Sequence, residues 1–281
     1  MREALQSTLG LFFGLLSTTA LAWAQAGDRS IWTPPRDISV DGGQLDDLFV
    51  LTTILTTVLF VGMVAILLVA SFRDKATVGK KAEYDRGDTK KDAVLLLAAA
   101  TVIFVAVDGT LMVKSHTAIN DVFWKYPDTE PDVLRVEVLA QQWAWNFRYA
   151  GADGKFNTPD DIVTLNDFRV PAGKKVACQI TSKDVLHSFF LVPCRVKKDA
   201  NPGQITRQWF QTREGTEGEY QVTCAEICGF AHYKMQARFV VMEPKAYAAW
   251  EKEAAKWSQI QYDAERQDQH WGWDWRGEIK N

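Results

Sequence analysis

Residues 224–235 read CAEICGFAHYKM. Cys224, Cys228, His232 and Met235 thus fall within twelve positions of a 281-residue chain that has only four cysteines and four histidines. Donors at this density suit a disulfide, a zinc site or a copper site, and each option makes a different demand on the rest of the chain. A Cys224–Cys228 disulfide would persist in an exported domain, but it would close a small ring and leave His232 and Met235 without a role. Zinc would take both cysteines, His232 and a distant histidine. Its usual donors are Cys, His and carboxylate, so the thioether would be idle. Copper electron-transfer sites combine thiolate, imidazole and a weak axial thioether. His187, in SKDVLHSFFLVP, is placed to be the further ligand, on a loop leaving one strand as the cysteine cluster leaves another. His116 adjoins an apolar span and His270 lies in the tail. A one-copper site needs one cysteine and two histidines. Two thiolates can bridge two coppers that each take one histidine, so the count favours a dinuclear centre.

The elements that must carry this loop begin with apolar blocks near the N-terminus. MREALQSTLGLFFGLLSTTALAWAQA has a basic start, an apolar run and small residues at Ala22, Ala24 and Ala26, the layout of a signal peptide over 1–26. Residues 48–72 are free of charge, and 93–113 are apolar apart from Asp108. Both are long enough to span a bilayer. The loop between them, 73–92, carries Arg73, Lys75, Lys80, Lys81, Arg86, Lys90 and Lys91, whereas residues 27–47 hold only Arg29 and Arg36. Positive charge stays on the cytoplasmic side, so both outer flanks face outward. The chain is expected to be a membrane hairpin carrying an exported domain.

From 114 onward the pattern turns to short alternating runs: LRVEV (134–138), WAWNFRY (143–149), KVACQIT (175–181), ITRQWFQT (205–212), EYQVTC (219–224) and ARFVVM (237–242). PAGK, NPGQ and REGTEGE punctuate them, which predicts an antiparallel sandwich or barrel. The apolar set changes phase between Val138 and Trp143, which predicts a bulge or bend there. GADGKFNTPDD (151–161) lacks the spacing of a calcium loop and is expected to join two strands. Residues 246–267 read as a helix, followed by a tryptophan-rich tail to 281. A net charge of −3 argues against nucleic acid as a partner.

The order Cys-x-Glu-x-Cys-x3-His-x2-Met, preceded by DVLHSF, resembles the dinuclear copper (CuA) site of cytochrome c oxidase subunit II. The leader, the two spans and the sandwich agree with that family over about residues 45–245. The resemblance implies a two-helix transmembrane hairpin plus an all-β cupredoxin-like Greek-key sandwich at 114–245. It implies Cys224 and Cys228 as bridging thiolates, His187 and His232 as one ligand to each copper, Met235 as a weak axial ligand and the carbonyl of Glu226 as the sixth donor. It also implies that the Glu226 side chain reaches a magnesium ion at the boundary with subunit I. Trp143, in QQWAWNF, would be where electrons enter from a c-type cytochrome. The partners implied are subunit I, the other oxidase subunits and that cytochrome, in a bacterial inner membrane with the domain facing the periplasm. Oxygen reduction to water, coupled to proton translocation, would occur in subunit I.

Asp199 in KKDANPGQ matches a family segment near the subunit I boundary, but Gln204 stands where an arginine is usual. Arg148 stands where relatives often carry an acid on the donor-docking face. GDTKKDAV replaces the glutamate and Trp-Thr pair that usually open the second span, leaving Asp88 or Asp92 as the nearest carboxylate. Asp108 is an intramembrane acid about a turn from the outer end of its span. Cys178 and Cys194 are expected as free thiols. No Cys-x-x-Cys-His occurs, so no c-type haem is expected on this chain. The alternative of another class is a membrane-anchored copper-delivery protein, which would need open, exposed ligands.

Overall fold

The computed structural model describes residues 34–73, 79, 86–127, 130–156, 158 and 160–261. The signal peptide expected at 1–26, most of the basic loop and the tail beyond 261, with His270, lie outside the described residues. The chain divides into two compact units, 41–131 and the remainder.

The first unit is a pair of helices, α1 (Gly42–Arg73) and α2 (Lys90–Phe123). Each is longer than its apolar run. Both expose apolar side chains along their length, as expected where lipid or other subunits replace water. The hydroxyls of Thr52, Thr53 and Thr56 each donate to the carbonyl four residues earlier, at 2.8 Å, so α1 carries them without orphaned donors. α2 opens on a capping box: Asp92 N–H donates to Thr89 Oγ1 (3.3 Å) and Thr89 N–H to Asp92 Oδ2 (3.2 Å). Asp92 therefore has a local structural job at the helix start. Asp108 sits in a π-type turn at Phe104–Gly109, and the helix runs on to Phe123. It lies about 22 Å of rise from the end of this helix, which continues past the apolar span expected at 93–113.

The second unit is a sandwich of two five-stranded sheets. The first has β3 (Ile162–Leu165), β2 (Ala144–Tyr149), β1 (Leu134–Gln141), β5 (Lys175–Ser182) and β8 (Thr206–Gln211), in that order. The second has β4 (Asp167–Pro171), β10 (Gln236–Met242), β9 (Gly218–Cys224), β6 (His187–Leu191) and β7 (Val196–Ala200). The sheets are mixed, not purely antiparallel: β1 runs parallel to β5, and β4 to β10. In each of these pairs the chain visits the other sheet before it returns. β3, β4 and β7 are only four or five residues long, and β6 is buried along nearly its whole length.

The change of phase at Val138 to Trp143 is a hairpin register, not a bulge. Val138 faces Phe147 and Val136 faces Tyr149, so even residues of β1 share a face with odd residues of β2. Gln142 and Trp143 are the two-residue turn. The shared face meets the second sheet around Phe168 of β4, whose ring contacts Phe147, Tyr149, Phe189, Phe210 and Phe239 at centroid distances of 4.7 to 6.5 Å. These rings come from both sheets and pack among the aliphatic side chains of the core between them. α3 (Pro244–Gln261) closes one end, with Trp250 set edge-on to Tyr149 at 5.4 Å. Residues 151–161 join β2 to β3, antiparallel neighbours.

Two further features shape the unit. Residues 37–40, just before α1, are stitched to the sandwich. Ile38 is fully buried, its N–H donates to the Pro193 carbonyl (2.9 Å), and Val40 N–H donates to the Gln211 carbonyl (2.8 Å). Arg213 Nη2 meets Asp37 Oδ2 at 2.6 Å. The other feature is a buried ion pair on the outer face of β1 and β2. Arg148 meets Glu137 directly and Asp161 at 3.6 Å. Arg148 is thus part of the interior and does not belong to an exposed docking face. Burial pushes the Glu137 carboxyl up to about 7, against the pull of the guanidinium. Folded protein therefore holds a proton there that the unfolded chain releases, so this group's contribution falls as pH rises from 4.5 towards 7. Replacing Arg148 by Met leaves the carboxylates uncompensated and is expected to cost about 3–5 kcal/mol. The loss should be larger at pH 8 than at pH 5, where Glu137 can stay neutral; thermal unfolding of the purified chain at the two pH values checks this.

Candidate metal centre

Cys224 ends β9 and His187 opens β6, so the histidine is on a strand and not on a loop. The strands are antiparallel, with Phe189 opposite Cys224, and Ala225 N–H donates to the Ser188 carbonyl at 3.0 Å. That pairing sets His187 Nδ1 3.9 Å from Cys224 Sγ. The loop from 225 to 235 joins β9 to β10, and Cys224 N–H closes its base on the Met235 carbonyl at 3.2 Å. A short turn at His232–Lys234 brings the loop back across the cysteines.

The donor atoms converge. Cys224 Sγ and Cys228 Sγ are 3.8 Å apart, far beyond the length of about 2.05 Å that a disulfide requires. Cys228 Sγ lies 3.5 Å from His232 Nδ1 and 3.7 Å from Met235 Sδ. Cys224 Sγ lies 3.2 Å from the Glu226 carbonyl oxygen. The donor atoms of His187, Cys224 and Cys228 fall within 4.8 Å of one another, a group able to hold a metal ion. His187, Cys228 and Met235 are buried, and Cys224, Glu226 and His232 are half-buried. All six positions singled out in the sequence thus sit in one cluster. Two thiols, two imidazoles, a thioether and a carbonyl are a soft set suited to copper; zinc would leave the thioether idle.

The two thiols are electrostatically unequal. Burial raises both. At Cys224 the hydrogen bond with His187 and those from the backbone overcome burial and bring the thiol down to about 6. At Cys228 burial is joined by the negative charge on Cys224, which pushes the thiol up to about 12. The metal-free pair therefore favours one thiolate with one thiol. Cys178 and Cys194 form no disulfide, are buried, and are pushed well above the ordinary thiol range by desolvation.

Around the donors the chain supplies an apolar wall. Trp145 sets its ring edge-on to His187, at 6.3 Å, and to Phe189, at 5.5 Å. Phe189 is core, while Phe190 is half-buried. Asp199, from KKDANPGQ, accepts from Ser188 Oγ at 2.7 Å, beside His187.

Trp143 lies in the β1–β2 turn, not in a strand. It is 37% exposed, and its indole N–H donates to the Cys228 carbonyl at 3.2 Å. Ile227, Phe230 and Tyr233 of the ligand loop are also exposed, Phe230 by 89%. Two polar neighbours of the cluster escaped the sequence reading. Gln142 Nε2 donates to the same Cys228 carbonyl at 2.7 Å, and Asp184 Oδ1 meets His187 Nε2 at 2.8 Å. The available signal for the second was a carboxylate three residues before His187. Gln142 had none, because its contact is with a residue 86 positions away.

Gly229 makes this contact possible. Its φ is +114°, and a Cβ there would lie 2.9 Å from Gln142 Nε2 and 3.3 Å from Trp143 Cζ2. Gly229→Ala combines backbone strain with that collision and is expected to destabilise by about 1–3 kcal/mol. Gly154, with φ +69° and open space around its Cβ position, should tolerate alanine better; comparing the two melting temperatures checks the assignment.

A family model described as cytochrome C oxidase subunit II, periplasmic domain, matches residues 134–243. The chain is 31% identical over 242 residues to the alternative cytochrome c oxidase subunit 2 of Bradyrhizobium diazoefficiens, covering 78% of this chain and 82% of that one. It is 33% identical over 165 residues to cytochrome c oxidase subunit 2 of Thermostichus vulcanus, covering 59% of this chain and 42% of that one. Among solved structures, the periplasmic domain of subunit II of cytochrome oxidase from Bradyrhizobium japonicum is similar at 28% identity. Its TM-score is 0.39, covering 44% of this chain and 94% of that one.

Proposed function

Because the chain belongs to the cytochrome c oxidase subunit II family, we propose that it is the copper-bearing, electron-receiving subunit of a respiratory haem–copper oxidase. The carrying observation is the convergence of six soft or neutral donors, each 3.2 to 3.9 Å from a neighbour along Glu226–Cys224–Cys228–Met235, with His187 beside Cys224 and His232 beside Cys228. Cys224 and Cys228 would bridge a copper pair, His187 and His232 would each bind one metal, and Met235 and the Glu226 carbonyl would cap it. Copper held there would supply one-electron transfer, from a c-type cytochrome towards haem in subunit I.

The chain's own residues prepare for this in three ways. Paired strands fix His187 against Cys224, so the donors move little when the charge on the centre changes. Trp145 and Phe189 keep water from the buried side. Trp143, bonded to the carbonyl of a ligand cysteine and exposed on its other edge, would receive the donor among the apolar side chains of Ile227, Phe230 and Tyr233. A docking surface of that kind leans on apolar contact more than on charge. The Glu226 carboxylate, a hard donor on the same loop, would serve magnesium at the subunit I boundary.

The membrane arrangement follows the same reading. Residues 1–26 would be removed as a signal peptide, α1 and α2 would cross the bacterial inner membrane, and the sandwich, which runs from β1 to β10 and not from 114 as expected, would face the periplasm. The bonds from residues 37–40 to the sandwich support it, because they hold the segment leading into α1 to the domain that follows α2. Two crossings satisfy this and one does not. A copper-delivery role fits less well, since His187, Cys228 and Met235 are buried where a carrier needs release.

Loading the purified chain with copper is expected to give two coppers per polypeptide and a mixed-valence EPR spectrum. Cys228→Ser should hold at most one. A single labile copper(I), or preferential zinc uptake, would reject the reading.

A further inference from the structure

His187 and Trp143 are bound to one another through the same polar groups. Asp184 Oδ1 meets His187 Nε2 at 2.8 Å, while its second oxygen accepts the backbone N–H of Gln142 at 2.7 Å. The Gln142 side chain then reaches the Cys228 carbonyl at 2.7 Å, and the Trp143 indole N–H donates to that same oxygen at 3.2 Å. Asp184 is itself held: Val185 N–H donates to it at 2.7 Å, and Lys183 N–H donates to the Ala140 carbonyl at 2.9 Å. The path therefore runs from one ligand, His187, through Asp184 and Gln142, to another ligand, Cys228, with Trp143 on the same oxygen.

We propose that Asp184 and Gln142 are positioning residues that lock the His187 imidazole and the Trp143 ring into one rigid body. The proposal rests on the functional reading above. Each half has a physical cause. A carboxylate facing Nε2 makes that nitrogen the proton-bearing one, which leaves the Nδ1 lone pair directed at Cys224 and the metal position. Orienting carboxylates of this sort also make an imidazole a stronger donor. The second oxygen fixes the backbone of the residue before Trp143, and Gln142 pins the turn to the loop that carries Cys228. Gly229, without a side chain, lets the turn approach that closely. Neither Asp184 nor Gln142 would touch the metal, so they act only through the groups they hold.

The test uses the full-length, copper-loaded chain and a soluble reduced c-type cytochrome as the electron donor, which gives up one electron per haem. Three readouts separate the roles: EPR hyperfine pattern, midpoint potential, and the stopped-flow rate of reduction. Asp184→Ala should raise the midpoint potential, because the imidazole becomes a weaker donor, and slow reduction about 10-fold. Gln142→Met leaves the Asp184–His187 contact in place. It should keep the wild-type EPR spectrum and potential while slowing reduction about 10-fold, a split that general destabilisation would not produce. Asp184→Asn, whose single acceptor oxygen can serve only one of the two donors, should recover at most one of the two effects. Wild-type potential and rate in Asp184→Ala would overturn the proposal, as would a wild-type rate in Gln142→Met. Failure of the functional reading looks different: the unmutated chain itself would not hold two coppers.

Discussion

The pairing of β6 with β9 is the constraint from which the centre follows. His187 and Cys224 are separated by 37 residues, and they meet because Phe189 stands opposite Cys224 across two hydrogen-bonded strands. Slip that register by one residue and every side chain of β6 changes face: Phe189 leaves the ring cluster around Phe168, and His187 turns away from the sulfur. The apolar core and the donor geometry therefore select the same register. The packing of rings between the sheets, worth far more than any single donor contact, is what positions the histidine.

The loop from 225 to 235 is the complementary part. It has little regular structure, yet its base is closed by Cys224 N–H on the Met235 carbonyl and its crown is held by the β1–β2 turn through the Cys228 carbonyl. Soft donors on such a loop gain fixed positions without a strand beneath each one. The unequal thiols belong to the same design: two negative sulfurs 3.8 Å apart repel strongly in a desolvated setting, and a shared proton relieves this until a cation arrives.

Much of this was legible in the chain. The two apolar runs, the ligand spacing and the alternating strands β1, β2, β5, β8, β9 and β10 each leave a local pattern. β6 did not, because HSFFL is buried along nearly its whole length and alternation vanishes when both faces are covered. Arg148 matches a position on the family's donor-docking face, and nothing local in the sequence shows that Glu137 and Asp161 close over it here. The turn at Gln142 and Trp143 leaves only a shift of parity in the sequence, which does not distinguish a two-residue hairpin from the bulge or bend expected there. Asp184 and Gln142 lay in plain view within quoted motifs, but their importance arises from partners that only the tertiary fold supplies.

The short ribbon at 37–40 has a consequence for biogenesis. It leaves the ribosome some 150–175 residues ahead of Pro193, Gln211 and Arg213, the groups it bonds. Until those emerge, the Ile38 side chain and the amides of Ile38 and Val40 wait for the groups that cover and bond them. Closing so long a loop is entropically demanding and belongs to the slow end of assembly. The edge of the first sheet beside β8 is therefore completed late, after the strands that flank it.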